Sequence, residues 1–319
     1  MGSFCHGSDF ASYPLEAGRF ALKLLITGAS GLYGSKLAEI AVARNCEVYS
    51  CDIQNLSVYG NFVKLDISDK GLVEEAFRSI KPDVVVHAAT LTDVDKCELN
   101  KELAWKVNVE GTKNIVEAAK STGSFLIYIS TDYVFSGEKG RYKETDKPDP
   151  INYYGLTKLK AEELVKSQTD YFIARPSVIY GSTPAAGKVN FALWLIETLL
   201  KRERVKIVTD QWNTPTLNTN LAEMTLEVVE RRLTGTFHLC GATRVSRLEF
   251  AELIADAFGL DKGLIDSALS SQFKWPAKRP VDSSLDTSKA QNMLRIKPLE
   301  IGEALKRLKF ELSQKRVLT

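Results

Sequence analysis

Histidine and cysteine are scarce in this 319-residue sequence, which contains three histidines and five cysteines. Neither set has the spacing of metal ligands, so we expect no zinc site and no nucleophile activated by a histidine. Scattered cysteines, odd in number, favour reduced thiols and therefore a cytoplasmic protein.

An excess of one charge and a long apolar run are also missing. Lysine and arginine total 42 against 40 aspartate and glutamate, a formal net charge of +2, which gives no electrostatic reason to expect nucleic acid as a partner. No apolar run approaches the roughly 18 residues of a membrane span, so we expect no membrane partner. Residues 1–21 lack a continuous apolar stretch, and we expect a flexible leader there, not a secretory signal.

Short apolar segments alternate with helical patterns in the first half of the chain. "LKLLITG" stops abruptly at a glycine, as a buried strand does, and "LYGSKLAEIAVARN" has apolar residues at helical spacing. The rhythm continues through "CEVYSCD", "FVKLDIS", "PDVVVHAA" and "FLIYIS". It predicts an α/β fold, a Rossmann doubly wound parallel sheet over residues 22–180. A smaller C-terminal domain, residues 181–319, is expected to be interleaved with it, and residues 207–240 to return to the first domain.

The glycines of "TGASGLYG" lie between the first strand and the first helix. Without side chains, the backbone there can approach a pyrophosphate, whose charge lies against the helix N-terminus. An ordinary strand-to-helix turn is the alternative, but the flanking strand and helix favour a dinucleotide. The residues expected to contact this cofactor are Gly28, Ser30, Gly31, Leu32, Tyr33 and Gly34.

Asp52 closes the second strand, 24 positions after Gly28. A carboxylate there accepts hydrogen bonds from an adenosine ribose and repels a 2′-phosphate, so the cofactor is expected to be NADH or NADPH, with NAD favoured. A strand-end turn residue is the alternative, and a lysine or arginine elsewhere would still admit NADP. Residues expected to complete the cofactor site at later strand ends are Asp66, Ile67, Ala88, Ala89 and Thr90.

Two adjacent tyrosines precede a lysine in "YYGLTK". In a helix, residues four apart share a face, so Tyr154 and not Tyr153 should lie beside Lys158. A phenol of pKa near 10 is a poor acid-base group at neutral pH unless a cation stabilises its phenolate. We therefore expect Lys158 to lower the pKa of Tyr154, the proton donor, and Thr131, just past "FLIYIS", to bind a substrate carbonyl.

Together these motifs resemble the extended short-chain dehydrogenase/reductase superfamily and, within it, the dTDP-4-dehydrorhamnose reductase family. The likeness covers about residues 22–310 and includes "TDVDKCE", "YISTDYVFSG", "NYYGLTKLKAEE" and "TDQWNTPT" in that family's order. It implies reduction of the C4 ketone of dTDP-4-dehydro-L-rhamnose to dTDP-L-rhamnose, with the nucleotide-sugar bound by the C-terminal domain.

The resemblance also implies residue roles. Lys158 would hold the nicotinamide ribose, so the catalytic residues would be Thr131, Tyr154 and Lys158. The substrate would contact Thr131, Asp132, Asn190 and Arg279. Arg279, with its neighbour Lys278, would meet the diphosphate, although solvated surface charge is the alternative for that pair.

The sequence departs from this family at two places. Val178 lies where many of these reductases have a tryptophan near the thymidine, which leaves the nucleobase open. Ser35 and Lys36 replace the acidic residue through which some relatives bind Mg²⁺, so we expect no metal. The assembly expected is a homodimer.

Two alternatives remain. The regulatory β subunit of methionine adenosyltransferase shares the same motifs, so a non-catalytic dinucleotide-binding partner is one. A nucleotide-sugar epimerase or dehydratase is the other; "STDYVF" has the aspartate but lacks the glutamate that a dehydratase needs beside its threonine.

Overall fold

The computed structural model describes residues 22–168, 170–183 and 189–315. The predicted leader, residues 1–21, lies outside these ranges. Within them, no helix combines the length and the apolar character that crossing a membrane requires.

The described chain alternates strands and helices up to β6. The strands are β1 (Lys23–Thr27), β2 (Glu47–Asp52), β3 (Asn61–Lys64), β4 (Val84–His87), β5 (Phe125–Ile129), β6 (Tyr171–Ala174), β7 (Ile179–Tyr180), β8 (Val205–Val208), β9 (Trp212–Asn213), β10 (Thr216–Leu217), β11 (Gly235–Phe237), β12 (Val245–Ser246) and β13 (Ile265–Ala268). The α-helices are α1 (Leu32–Ala43), α2 (Lys70–Ile80), α3 (Val94–Leu99), α4 (Lys101–Trp105), α5 (Gly111–Thr122), α6 (Tyr153–Val165), α7 (Phe191–Leu200), α8 (Asn218–Arg231), α9 (Arg247–Phe258), α10 (Ser288–Met293) and α11 (Ile301–Gln314).

Seven parallel strands form the central sheet, in the order β11-β6-β5-β4-β1-β2-β3. Its first six strands follow the 3-2-1-4-5-6 order of a doubly wound dinucleotide-binding fold. The predicted Rossmann sheet is therefore confirmed. Because the order reverses between β1 and β4, the loops after these strands diverge and leave a crevice at the carboxyl edge of the sheet.

Both faces of this sheet are covered. On β1, Leu24 and Ile26 belong to one hydrophobic core with residues of α1 and α8, whereas Leu25 belongs to a second core with residues of α2, α5 and α6. Successive strand residues point to opposite faces, so burial of all three requires helices on both sides. This arrangement explains why the strands read as continuous apolar runs.

A third core lies in the part of the chain after residue 180. It joins α7, α9 and α11 with β8, and Leu195, Ile254 and Leu308 are fully buried there. Between α8 and α9 the chain forms β11, which pairs with β6 in the central sheet. The domain boundaries drawn from the sequence stay a prediction.

The start of α6 is fixed by Asn152. Its side-chain oxygen accepts a hydrogen bond from the backbone N–H of Gly155 at 2.8 Å, which caps the helix, and its amide donates to the carbonyl of Lys278 at 2.9 Å. The helix therefore begins at Tyr153, and Tyr154 and Lys158 lie in its first two turns.

Candidate active site

A cavity of about 970 Å³ opens at the carboxyl edge of the central sheet. Its walls include the segments that follow β1, β4 and β5, at the point where the strand order reverses. This is the place where doubly wound sheets bind their ligands.

Most residues that the sequence assigns to a site line this cavity. They are Gly28, Gly31, Leu32, Tyr33, Gly34, Asp52, Asp66, Ile67, Ala88, Ala89 and Thr90 at the cofactor end, and Thr131, Asp132, Tyr154 and Asn190 at the other. Three assigned residues do not line it, namely Ser30, Lys158 and Arg279.

The glycine loop between β1 and α1 is closely packed. Gly28 has φ +73°, and a Cβ placed on it would lie 2.7 Å from the backbone nitrogen of Ala89. Gly31 caps α1 without a side-chain hydrogen bond, and the first turn of the helix contains no acidic residue. The N–H groups of this helix end therefore face the cavity with their partial positive charge uncompensated by a side chain, which fits the pyrophosphate of a dinucleotide.

Asp52 and Ser30 together shape the far end of the cofactor region. The Asp52 carboxylate accepts hydrogen bonds from the backbone N–H groups of Ser30 at 3.0 Å and Gln54 at 3.3 Å. The Ser30 hydroxyl donates to the carbonyl of Gln54 at 2.6 Å. The structure therefore places the Ser30 side chain against the loop after β2 and not in the cavity.

Tyr154 lines the cavity and is only 9 % exposed. Burial raises the pKa of its phenol above the usual value, and a hydrogen bond with the Thr131 side chain opposes that shift without reversing it. This direction is opposite to the expected lowering by Lys158. Tyr154 consequently carries its proton throughout the neutral pH range.

Lys158 points to the end of β5. Its Nζ donates a hydrogen bond to the carbonyl of Ile129 at 2.7 Å and lies 4.2 Å from the ring centre of Tyr128. Burial lowers the pKa of this ammonium to about 7. Residues four apart do share a helix face, but the long lysine side chain reaches past Tyr154 to the strand beneath.

Asp132 is buried and hydrogen-bonded to three hydroxyl groups. Its carboxylate accepts from Thr131 at 3.0 Å, Ser177 at 2.8 Å and Ser283 at 2.6 Å. Burial raises the pKa of Asp132, and these hydrogen bonds oppose the shift. Asp132 therefore orients the Thr131 hydroxyl, a role the sequence did not indicate, because Ser177 and Ser283 are distant along the chain.

Arg279 and Asn190 are engaged by other groups of the protein. The guanidinium of Arg279 donates to both carboxylate oxygens of Asp95, at 2.9 and 2.7 Å. Asn190 caps α7 through its side-chain oxygen and donates to the carbonyl of Gly181 at 2.9 Å. Only Asn190 lines the cavity, so the structure does not bring Arg279 to the place where a diphosphate would lie.

Asn108, buried in a π-helical segment at Lys106–Glu110, ties the loop after β4 to α6. Its oxygen accepts from the Thr90 hydroxyl at 2.8 Å and from the N–H of Leu91 at 2.7 Å, and its amide donates to Thr157 at 3.0 Å. One short π segment thus fixes two walls of the cavity, as such segments often do at functional sites.

His87 connects the same loop to the glycine turn. Its Nδ1 lies 2.7 Å from the Thr27 hydroxyl and its Nε2 lies 3.0 Å from the Thr112 hydroxyl. Thr112 donates its own proton to the carbonyl of Asn108, so Nε2 must donate and Nδ1 must accept. The network therefore selects the Nε2–H tautomer of the neutral imidazole.

Acidification should destabilise the protein through His87. Burial lowers its pKa to about 3, so the unfolded chain, with a histidine pKa near 6.5, binds the proton first and stability is lost as the pH falls below 6.5. Between pH 6.5 and 5 we expect His87 alone to remove about 1.5 kcal/mol of unfolding free energy. Urea denaturation at each pH measures the unfolding free energy. In His87→Gln, this free energy should fall less between pH 6.5 and 5 than in the unmodified protein, by the amount that His87 contributes.

His238 provides the matched control for that measurement. It is also buried, with its pKa lowered to about 4, and it lies far from Thr27. His238→Gln should remove the contribution of His238 to the pH dependence of the unfolding free energy and leave the contribution of His87 unchanged. An unchanged pH slope in His87→Gln would contradict the assignment.

Two residues on the cavity wall, Tyr133 and Arg247, were not assigned to the site from the sequence, although Tyr133 lies within the motif "YISTDYVFSG". The Tyr133 ring packs edge-on against Tyr154, with ring centres 6.0 Å apart. Arg247 begins α9, far along the chain from every motif. Across the described ranges, the acidic, histidine and cysteine side chains form no cluster suited to a metal ion.

Comparison with known proteins places residues 22–313 in one family. Residues 22–313 match the family described as the RmlD substrate binding domain. The dTDP-4-dehydrorhamnose reductase of Aggregatibacter actinomycetemcomitans is 32% identical over 302 residues, covering 90% of this chain and 98% of that protein. Methionine adenosyltransferase 2 subunit beta of Bos taurus is 29% identical over 277 residues, covering 85% of this chain and 82% of that protein.

A solved structure shows the same architecture. The dTDP-4-dehydrorhamnose reductase of Bacillus anthracis str. Ames, in complex with NADP, superimposes with a TM-score of 0.83 at 30% identity, over 92% of this chain and 100% of that one. The chain therefore belongs to the RmlD substrate binding domain family and is an oxidoreductase of the extended short-chain dehydrogenase/reductase type.

Proposed function

We propose that this protein reduces the C4 ketone of a nucleotide-activated deoxysugar, dTDP-4-dehydro-L-rhamnose, to dTDP-L-rhamnose with a nicotinamide dinucleotide. The observation that carries the proposal is the shared cavity, in which Tyr154 and Thr131 lie beside the glycine loop. The dTDP-4-dehydrorhamnose reductases among its relatives support the choice of sugar and nucleobase.

Reduction of a ketone to an alcohol needs a hydride and a proton. A bound nicotinamide supplies the hydride. Tyr154 holds the proton at its phenolic oxygen, because its raised pKa keeps it protonated at neutral pH, and an alkoxide is basic enough to take it. The Thr131 hydroxyl donates its proton to Asp132 in the structure, so it would have to turn from Asp132 toward the substrate to donate to the carbonyl oxygen.

Lys158 would contribute differently from the sequence prediction. Its ammonium is held at the carbonyl of Ile129 in the structure, and its pKa of about 7 makes its charge sensitive to pH in the working range. We propose that it acts through the local field and not on the ribose, because it does not line the cavity, and that the proton itself comes from Tyr154.

The cofactor proposed is NADH in preference to NADPH. Asp52 lines the cavity, and the cavity-lining residues next to it in the chain and after the neighbouring strand β3, Ile53 and Leu65 to Ser68, include no lysine or arginine. A 2′-phosphate there would meet a carboxylate without a cation to offset the repulsion.

Asp52→Asn should move the preference toward NADPH. The amide removes the charge and keeps one side-chain oxygen for the N–H of Ser30, whereas the longer hydrogen bond from the N–H of Gln54, at 3.3 Å, is lost. We expect the ratio of kcat/KM for NADPH to that for NADH to rise about tenfold, the equivalent of about 1.4 kcal/mol. Steady-state rates with both dinucleotides measure this ratio, and an unaltered ratio would remove Asp52 from cofactor selection.

The direct test of the proposed function is reductase activity on a panel of dTDP- and UDP-linked 4-keto sugars. Consumption of the reduced dinucleotide, followed by its absorbance, and formation of the alcohol, followed by mass spectrometry, should be fastest with dTDP-4-dehydro-L-rhamnose. No turnover with any member of the panel, by protein that binds NADH, would refute the proposal.

A regulatory role is the second candidate, because the methionine adenosyltransferase 2 subunit beta of Bos taurus is also a relative over most of the chain. A pull-down with a methionine adenosyltransferase catalytic subunit, run beside the reductase assay, separates the two roles. Cofactor retained through purification, with interconversion of sugar epimers, would instead favour an epimerase.

The domain boundary, the homodimer and the cytoplasmic location also stay proposals, and each has its own test. Limited proteolysis and mass spectrometry test the boundary near residue 180. Light scattering after size-exclusion chromatography tests the homodimer. Imaging of the tagged protein in cells tests the cytoplasmic location.

A further inference from the structure

Arg247 is the first residue of α9, and its side chain lines the cavity at the end away from the glycine loop. Its backbone N–H donates to the carbonyl of Gln211 at 2.9 Å, which fixes the start of the helix. The guanidinium lies 5.4 Å from the ring centre of Phe191 and is half-buried. The backbone of Arg247 is therefore fixed by a hydrogen bond, and its guanidinium lies over one aromatic ring.

The charge of Arg247 is directed at the reactive part of the cavity. Burial raises the pKa of Tyr133, and the charge of Arg247 and its hydrogen bond to that phenol oppose the shift. The Tyr133 ring in turn packs against Tyr154. An anion held by Arg247 would thus lie one aromatic ring away from the proposed proton donor.

Other arginines in this region already have carboxylate partners. Arg279 is paired with Asp95 at 2.7 Å and Arg244 with Asp282 at 2.6 Å. No carboxylate among the described residues lies within ion-pair distance of Arg247. The cation that the sequence assigned to the diphosphate is neutralised, whereas the charge of Arg247 remains available to a ligand.

We propose that Arg247 binds the diphosphate of the nucleotide-sugar substrate, in place of the expected Arg279. This inference rests on the proposed function. A guanidinium presents paired N–H donors that match phosphate oxygens, and a half-buried one over the apolar ring of Phe191 binds anions more strongly than an exposed one.

Binding of dTDP and of thymidine, measured by titration calorimetry on the NADH-loaded protein, tests the inference without requiring turnover. Arg247→Met should weaken binding of dTDP by about thirtyfold, in line with loss of a charge-assisted hydrogen-bond pair, and leave thymidine binding unchanged. Arg247→Lys should recover part of the loss. In the reductase assay, KM for the sugar should rise while kcat changes little.

Lys201→Met is the control for net charge, because it also removes one positive charge. Lys201 is exposed and follows the last residue of α7, whereas Arg247 contacts Phe191 at the first residue of that helix. The Lys201→Met variant should bind dTDP as the unmodified protein does. Equal dTDP affinity in Arg247→Met and the unmodified protein would overturn the inference, as would an equal loss of dTDP and thymidine binding. If dTDP binding depends on Arg247 but no 4-keto sugar is reduced, the proposed function fails and the diphosphate site stands.

Discussion

Replacing Tyr154 with phenylalanine should lower kcat for ketone reduction by about a thousandfold and leave the Kd for NADH within about twofold. The substitution removes one oxygen from a side chain that is 9 % exposed, so the ring and its packing against Tyr133 stay in place. What is lost is the proton that the raised pKa keeps on the phenol. Steady-state kinetics and NADH titration together measure the two effects.

Tyr153→Phe is the matched control, because it makes the same change one position earlier in the same helix. The Tyr153 ring lies 5.3 Å from the ammonium of Lys101, outside the cavity lining. We expect kcat within about twofold of the unmodified value. A large loss in Tyr153→Phe with none in Tyr154→Phe would show that the helical-face argument selected the wrong tyrosine.

The sheet and the cofactor half of the cavity could be predicted because their signals are local. The continuous apolar run of β1 needs no knowledge of its neighbours, and the glycines that follow it report a tight turn between a strand and a helix. Parallel strands bring their carboxyl ends to one edge, so residues at several strand ends could be assigned to one site. Asp52 and Ala88 were assigned in this way, and both line the cavity.

At the other end of the cavity, the hydrogen-bond partners of the assigned residues could not be predicted, because those contacts join distant parts of the chain. Asp95 and Arg279 form an ion pair across 184 positions, and Asp132 reaches Ser283 across 151. A single sequence does not reveal such pairings. From the sequence, Arg279 was therefore predicted to be a cation available to the substrate, and Arg247 was not distinguished from other helix residues.

The direction of a side chain is a second feature that the sequence does not predict. Helical periodicity correctly places Tyr154 and Lys158 on one face, but it does not decide where four rotatable bonds carry the ammonium. The carbonyl of Ile129, at the end of β5, accepts the hydrogen bond that this buried ammonium requires. The pKa of the phenol is consequently governed by burial.

The ion pair between Glu162 and Arg175 anchors the helix that bears Tyr154. Two hydrogen bonds, at 2.8 and 2.6 Å, join the guanidinium to the carboxylate, and both side chains are almost fully buried. Ser130, beside Thr131, donates to the same carboxylate at 2.6 Å. The pair thus connects α6, β6 and the end of β5 at the back of the site.

Glu162→Gln should destabilise the protein by about 3–5 kcal/mol, because it leaves the Arg175 charge buried without its counter-ion. Glu163→Gln, one position along the same helix, breaks an exposed pair with Lys160 and should cost less than about 1 kcal/mol. A double variant, Glu162→Met with Arg175→Met, should recover part of the loss, since no unpaired charge remains. Urea denaturation of the unmodified protein and the three variants measures these losses of unfolding free energy. Similar losses in Glu162→Gln and Glu163→Gln would show that water reaches the buried pair and that the site does not depend on it.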